Sequence, residues 1–117
     1  MDFTTVTDED YNKVSLALKL DTDFDKKYVE DLIVASRLSI KSRVGGDLEF
    51  YDGEEIIPIF NTAVSCMVHD RYFYPGSVSD DEIFDISDSL DAYTMDLKAK
   101  YAVFSRKKRE EDINGNS

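Results

Sequence analysis

Ile57-Pro58-Ile59-Phe60-Asn61-Thr62-Ala63-Val64-Ser65-Cys66-Met67-Val68-His69-Asp70-Arg71-Tyr72-Phe73-Tyr74-Pro75-Gly76 holds only two charged residues, Asp70 and Arg71, between a proline and a Pro-Gly pair. This pattern predicts a helix. Proline is tolerated in the first turn, where its missing amide hydrogen has no internal acceptor to lose, and glycine readily adopts the conformation that closes a helix. A helix so poor in charge reads as apolar on every side and has to be covered. In a chain of 117 residues with one modest core, the expectation is that neighbouring copies share in covering it.

Working outward, Thr7-Asp8-Glu9-Asp10 reads as a helix start. The threonine hydroxyl is placed to cap free amides, and the acids sit in the positive first turn. Tyr11, Val14 and Leu18 line its apolar side, and the helix is expected to end near Leu20. A second, longer helix is predicted over residues 23–44, stopped by Gly45-Gly46. At 100° per residue, Val29, Ile33, Ile40 and Val44 fall within about 60° of one another and point inward. Val34 and Leu38 lie off that stripe, beside Arg37 and Lys41, and are candidates for contact with a partner. Residues 45–57 read as an acidic connection with a short extended piece at 48–51, and 77–89 as a second acidic stretch anchored by Ile83, Phe84 and Ile86. Leu90, Tyr93, Leu97, Tyr101 and Phe104, three or four apart, mark a fourth helix. The chain therefore reads as an all-α four-helix bundle over residues 1–105, with a charged, flexible tail over 106–117.

Charge narrows the function classes. A formal net charge of -11 disfavours nucleic-acid binding, which depends on Lys and Arg neutralising phosphates. A single cysteine allows no internal disulfide, and no uncharged run is long enough to span a bilayer. The opening Met-Asp-Phe-Thr-Thr has no signal-peptide pattern, so synthesis in the cytoplasm is expected. Residues 1–25 carry seven acids against Lys13 and Lys19, 47–60 carry five acids and no base, and 76–97 carry seven acids and no base. The sign reverses at Lys98, Lys100, Arg106, Lys107, Lys108 and Arg109. Helix-dipole complementarity and solvated faces are the simpler explanation, and contact between oppositely charged flanks of identical neighbours is the sharper alternative.

Candidate chemistry is thin. Cys66 and His69 are three apart on the third helix, close enough for a thiol–imidazole pair. No third group orients them, however, and cysteine is a common core residue. Asp21-x-Asp23-x-Asp25 starts like a calcium loop, but Lys26 and Leu32 stand where that loop needs Gly and Glu; capping and solvation account better for these aspartates. Gly45-Gly46 is followed by acids, not by a phosphate-binding Lys. No catalytic residue, metal site or cofactor is expected. Tyr72, Phe73 and Tyr74 point three ways around a helix end, so at least one aromatic faces outward, where tyrosine suits an interface.

The order of these features resembles the head-to-tail connector, or adaptor, proteins of long-tailed double-stranded DNA bacteriophages. The resemblance covers roughly residues 5–105. It rests on Val14-Ser15-Leu16-Ala17-Leu18-Lys19-Leu20-Asp21-Thr22-Asp23-Phe24-Asp25, then Val29-Glu30-Asp31-Leu32-Ile33-Val34-Ala35-Ser36-Arg37, then Pro58, Ala63, Val64, Met67, Val68, His69, Arg71 and Tyr72. The Arg71-Tyr72 order, the acidic loop and the charged tail depart from that pattern. The resemblance implies a structural virion protein of the neck, without enzymatic activity. It would form a closed ring of about twelve copies beneath the portal protein and support the next neck or tail component. DNA would pass through the channel without sequence-specific binding, and no membrane would be involved. Under this reading Arg71, Tyr72 and Tyr74 are partner-facing, and Tyr101, Phe104, Arg106, Lys107, Lys108 and Arg109 meet the portal. The alternative is a small acidic helical regulator or DNA mimic that binds a basic surface.

Overall fold

The computed structural model describes residues 1–74 and 88–115. Four α-helices follow one another, α1 (Asp8–Leu18), α2 (Lys26–Val44), α3 (Ile56–Phe73) and α4 (Asp88–Gly115), with a 3-10 turn at Leu48–Asp52 between α2 and α3. Among the described residues there is no strand, and the chain is the expected all-α four-helix bundle. The acidic stretch with Ile83, Phe84 and Ile86, and the Pro75-Gly76 stop, lie outside the described residues.

α3 is the hub and packs against α1, α2, α4 and the 3-10 turn. Ile56, Phe60, Ala63, Val64, Met67 and Val68 are its buried residues, spaced three and four apart along one face. Its other side exposes Pro58, Asn61, Thr62 and His69. The low charge of this helix had suggested apolar character all round, and the structure corrects that. Asn61, Thr62, His69 and Arg71 make most of the outer face polar, with Phe73 half exposed at its end, so the chain buries the apolar side of α3 against its own helices. The helix also begins two residues before the proline, because the Ile56 and Ile57 amides both donate to the Gly53 carbonyl at 3.0 Å. Pro58 still falls within the first turn, where its missing donor costs nothing.

α1 starts as expected. The Thr7 hydroxyl accepts from the Asp10 amide and the Asp10 carboxylate accepts from the Thr7 amide, both at 3.1 Å, which forms a reciprocal cap. It ends two residues before Leu20, with Lys19 in the left-handed region at φ 58. α2 starts later than expected, at Lys26 rather than residue 23. The aspartate turn before it is held from elsewhere: Tyr11 donates to Asp23 at 3.1 Å and Tyr72 to Asp25 at 2.7 Å. These carboxylates serve as anchors for tyrosines, and the Asp25 side chain makes no helix cap.

Residues 48–51 are helical, not extended. The Asp47 carboxylate accepts from the Glu49 amide at 3.0 Å and starts the turn. A strand would send Phe50 and Tyr51 to opposite faces, whereas both are buried here. Their rings join Phe3, Phe60, Tyr101 and Phe104 in one aromatic cluster, with centroids 5.0 to 5.5 Å apart in Phe50–Tyr101, Phe50–Phe104, Phe3–Tyr51 and Phe3–Phe60. The segment before α1 is drawn in by Arg37. This buried guanidinium donates to the Thr5 carbonyl at 2.9 Å and pairs with Asp10 at 3.0 Å. A buried arginine is tolerable only when paired in this way.

α4 carries Leu90 and Leu97 into the core, with Tyr93, Tyr101 and Phe104 packed against it. It then runs on unbroken past residue 105, where a flexible tail was expected, as far as Gly115. Bases at 106 and 107 stand four residues before acids at 110 and 111, a spacing that supports helix. The same charges had read as a solvated tail.

Ser36 sits on the buried side of α2, and its hydroxyl has no hydrogen-bond partner among the described residues. Serine also forms helix less readily than alanine. Ser36→Ala is expected to raise the unfolding free energy by about 1 kcal/mol, measured by urea denaturation; a loss of stability would show that the hydroxyl is satisfied.

Candidate interaction surfaces

One end of the bundle is built by the 3-10 turn and α4. The Tyr101 ring lies directly against Gly45, so that a β-carbon at that position would collide with three of its ring atoms. Its hydroxyl accepts from the Asp47 amide at 3.1 Å, and the Tyr51 hydroxyl donates to the Gly45 carbonyl at 2.6 Å. Burial, with Tyr101 adding to it, pushes the Tyr51 phenol up to about 12. About two helical turns further on, Lys108 donates to Asp47 at 2.6 Å and Glu49 at 2.8 Å, with its ammonium 5.7 Å from the Phe104 ring centre. The Lys108 hydrogen bond holds Asp47 below the ordinary carboxylate range, and the two acids push the Lys108 ammonium up.

Beside this clamp runs a groove of about 520 Å³ between the 3-10 turn, the start of α3 and α4. Phe50, Ile56, Ala99, Val103 and Phe104 form its apolar lining. Lys100 and Lys107 stand on its α4 edge and Glu55 on the other; Asp96, also on α4, pairs with Lys100 at 2.9 Å.

The other end gathers the α1–α2 turn and the last turn of α3. Tyr72 packs between Tyr28 and Phe73, with ring centres 6.1 and 5.1 Å away. Its hydrogen bond to Asp25 raises the Tyr72 phenol above its usual value. Tyr28, Phe73 and Tyr74 are about half exposed, and Phe24 stands out at 92 % exposure. The Phe24 amide donates to the Thr22 hydroxyl at 3.3 Å, which fixes the tip of this turn.

Cys66 and His69 do share a cavity, of about 350 Å³, with Thr62, Ser65 and Asp70 among its walls. Burial, then the nearby Asp70 charge, pushes the Cys66 thiol up, which favours the weakly nucleophilic protonated form. The His69 ring nitrogen is 3.5 Å from the Asp70 carboxylate, the outer limit of a hydrogen bond. Among the described residues no group of three His, Cys, Asp or Glu side chains is arranged to hold a metal, and no helix is long and apolar enough to cross a membrane.

The residues singled out from sequence fall into two sets. Tyr72, Tyr101, Phe104 and Lys108 are committed to contacts within the chain. Arg71, Tyr74, Leu38, Arg106, Lys107 and Arg109 are exposed, and Val34 is half-buried. Sequence reasoning missed Phe24, Met95 and Val103, all exposed. The signal for Phe24 was an aromatic set inside an aspartate-rich turn; the aspartates drew attention and the ring did not. Comparison of the chain with family profiles, with characterised proteins and with solved structures finds no match.

Gly45→Ala is expected to cost about 1 to 3 kcal/mol by forcing Tyr101 away, while Gly46→Ala, with open space around it, serves as the neutral control in the same denaturation series. The Lys108 clamp has a defined pH window. Asp47 is depressed, so its contribution is present above the ordinary aspartate value near 4 and is lost as pH falls through its lowered value. Lys108 is raised, so its contribution is present below about 10 and is lost as pH climbs through its raised value. At neutral pH, Lys108→Gln should speed amide hydrogen exchange over residues 105–113 and leave the global unfolding midpoint nearly unchanged, because exposed ion pairs add little to global stability.

Proposed function

We propose that this chain is a structural adaptor of a bacteriophage neck. It assembles head-to-tail into a ring under the portal and carries the next neck or tail component, with DNA passing through the channel. It works without catalysis or a cofactor, in the virion, at the junction of head and tail. The observation that carries this reading is the presence of two unlike exposed patches at opposite ends of one helical bundle. An aromatic end surrounds Phe24 and an apolar groove lies between the 3-10 turn and α4. α2 and α3 run from one end to the other, roughly 25 Å at 1.5 Å per residue. Two different patches on one subunit are what a heterologous, ring-forming contact requires, since an isologous dimer would use a single self-complementary patch.

Further support comes from the motif order described above and from the exposed cations of α4. Arg106, Lys107 and Arg109 are exposed on a helix that runs on past residue 105, a basic segment suited to an acidic partner surface. Net negative charge elsewhere suits a conduit that must not retain DNA. A depressed thiolate fraction at Cys66 argues against nucleophilic chemistry in the neighbouring cavity.

Deleting residues 106–117 would remove Lys108 and its clamp as well, so charge reversal is the cleaner probe. Arg106→Glu, Lys107→Glu and Arg109→Glu combined should leave helicity intact by circular dichroism and weaken attachment to the purified portal ring by roughly tenfold or more. Unchanged attachment rejects the portal-facing role of this segment. Failure of the unaltered chain to bind the portal at all, with capture of a basic partner instead, would establish the regulator in its place.

A further inference from the structure

The last turns of α4 present an ordered outward face. At 100° per residue, Val103, Arg106, Glu110 and Ile113 fall within about 80° of one another, and Lys108 lies on the opposite side of the helix. Lys108 meets Asp47 and Glu49 of its own chain, so the four side chains face solvent. Val103 is 41 % and Ile113 71 % exposed, and neither belongs to the core. Arg106 and Glu110 are exposed between them and have no ion-pair partner among the described residues. The outer face of a helix on a self-contained bundle is ordinarily polar along its length, whereas this one carries a branched apolar side chain at each end.

The order of the four residues is symmetric. They are spaced by three, four and three positions, and reading the set backwards exchanges apolar for apolar and base for acid. An isologous contact requires that residue i of one copy meet residue j of the other while j meets i. A two-fold axis at residue 108, with the helices antiparallel, meets that requirement at every position of the stripe. A parallel arrangement would set Arg106 on Arg106 and Glu110 on Glu110, so charge selects the antiparallel one. The flanks agree with it. Lys107 and Glu111 lie on one side of the stripe and face one another across the axis. Arg109 lies on the other side near its own counterpart, with Asp112 three residues on in the same helix to offset the approach. Ala99 and Ala102, exposed one to two turns earlier, are small enough to leave room for a partner helix beyond its Ile113.

We propose that two copies of this chain pair through the outer face of α4, antiparallel about a two-fold axis at residue 108, with Arg106 of each copy facing Glu110 of the other and Val103 facing Ile113. The overlap of residues 103–113 is roughly 16 Å long, short against a standard interface, so the dimer is weak and exchanges readily. Its two charge pairs are solvent-exposed, and rising salt weakens it. The contact goes beyond the adaptor reading and would serve a regulator equally well. Arg106 and Lys107 also belong to the segment assigned to the portal, so pairing and portal attachment exclude one another.

The test is a charge exchange in the full chain, followed by sedimentation velocity up to roughly 1 mM. The unaltered chain should populate a dimer. Arg106→Glu sets Glu against Glu110 of the other copy, and Glu110→Arg sets Arg against Arg106, so each variant alone should associate at least roughly tenfold more weakly. An equal mixture of the two should recover a 1:1 dimer, and the doubly exchanged chain, Arg106→Glu with Glu110→Arg, should pair with itself as the unaltered chain does. Ile113→Ala, a change at a solvated position that leaves the charges in place, should weaken pairing by roughly tenfold because the residue is used twice in the symmetric contact. Circular dichroism and the unfolding midpoint follow helix and fold in each variant; if a single reversal frays the helix end, the doubly exchanged chain and Ile113→Ala decide. The proposal is overturned if the unaltered chain stays monomeric throughout, if Arg106→Glu or Ile113→Ala associates as well as the unaltered chain, or if neither the mixture nor the double exchange restores the dimer.

Discussion

The approach of the Tyr101 ring to the bare backbone of Gly45 is the constraint from which the rest of the architecture follows. It brings α4 against the end of α2 at a distance no side chain at position 45 permits. The Tyr101 hydroxyl then meets the Asp47 amide, and Phe50 fits between Tyr101 and Phe104. With Phe50 held there, Tyr51 turns inward to Phe3 and Phe60, so the segment before α1, the 3-10 turn, α3 and α4 share one aromatic cluster. Edge-to-face ring packing of this sort adds to the burial of large apolar area and favours a single arrangement over many.

The same constraint separates cohesion from contact. Aromatic rings at the Gly45 end face inward and leave a groove beside them; at the opposite end Tyr72 is spent on Asp25, and Phe24, Tyr28, Phe73 and Tyr74 face solvent. The molecule is elongated, 57 by 33 by 18 Å. With the core closed, Phe24 still stands in solvent on a turn held by hydrogen bonds.

Helix content was legible from local pattern. The Thr7 cap, the inward stripe of Val29, Ile33 and Ile40, the glycine stop at 45 and the Leu90, Leu97 and Tyr101 spacing all appear where residue order places them, because capping and amphipathic periodicity act over four residues or fewer. What was misread depended on partners distant in sequence. The aspartates at 23 and 25 looked like caps and turned out to hold Tyr11 and Tyr72. The charged stretch from 106 to 109 looked like the start of a loose tail, and Lys108 in fact meets Asp47 and Glu49 some sixty residues away. Arg37 gave no sign of being buried until Thr5 and Asp10 came beside it.

Sequence alone therefore determined the class of fold, the number of helices and most of their inward faces, since those depend on hydrophobic period and terminal signals written within each segment. Only tertiary structure decided that α3 has a polar outer side compatible with a closed core, that residues 48–51 curl and do not extend, and which aromatics are core and which are surface. The physical reason is that burial is a property of pairs. A phenyl ring or a lysine is the same local signal in both settings, and whether it packs or projects is set by what the fold brings within 4 to 6 Å of it.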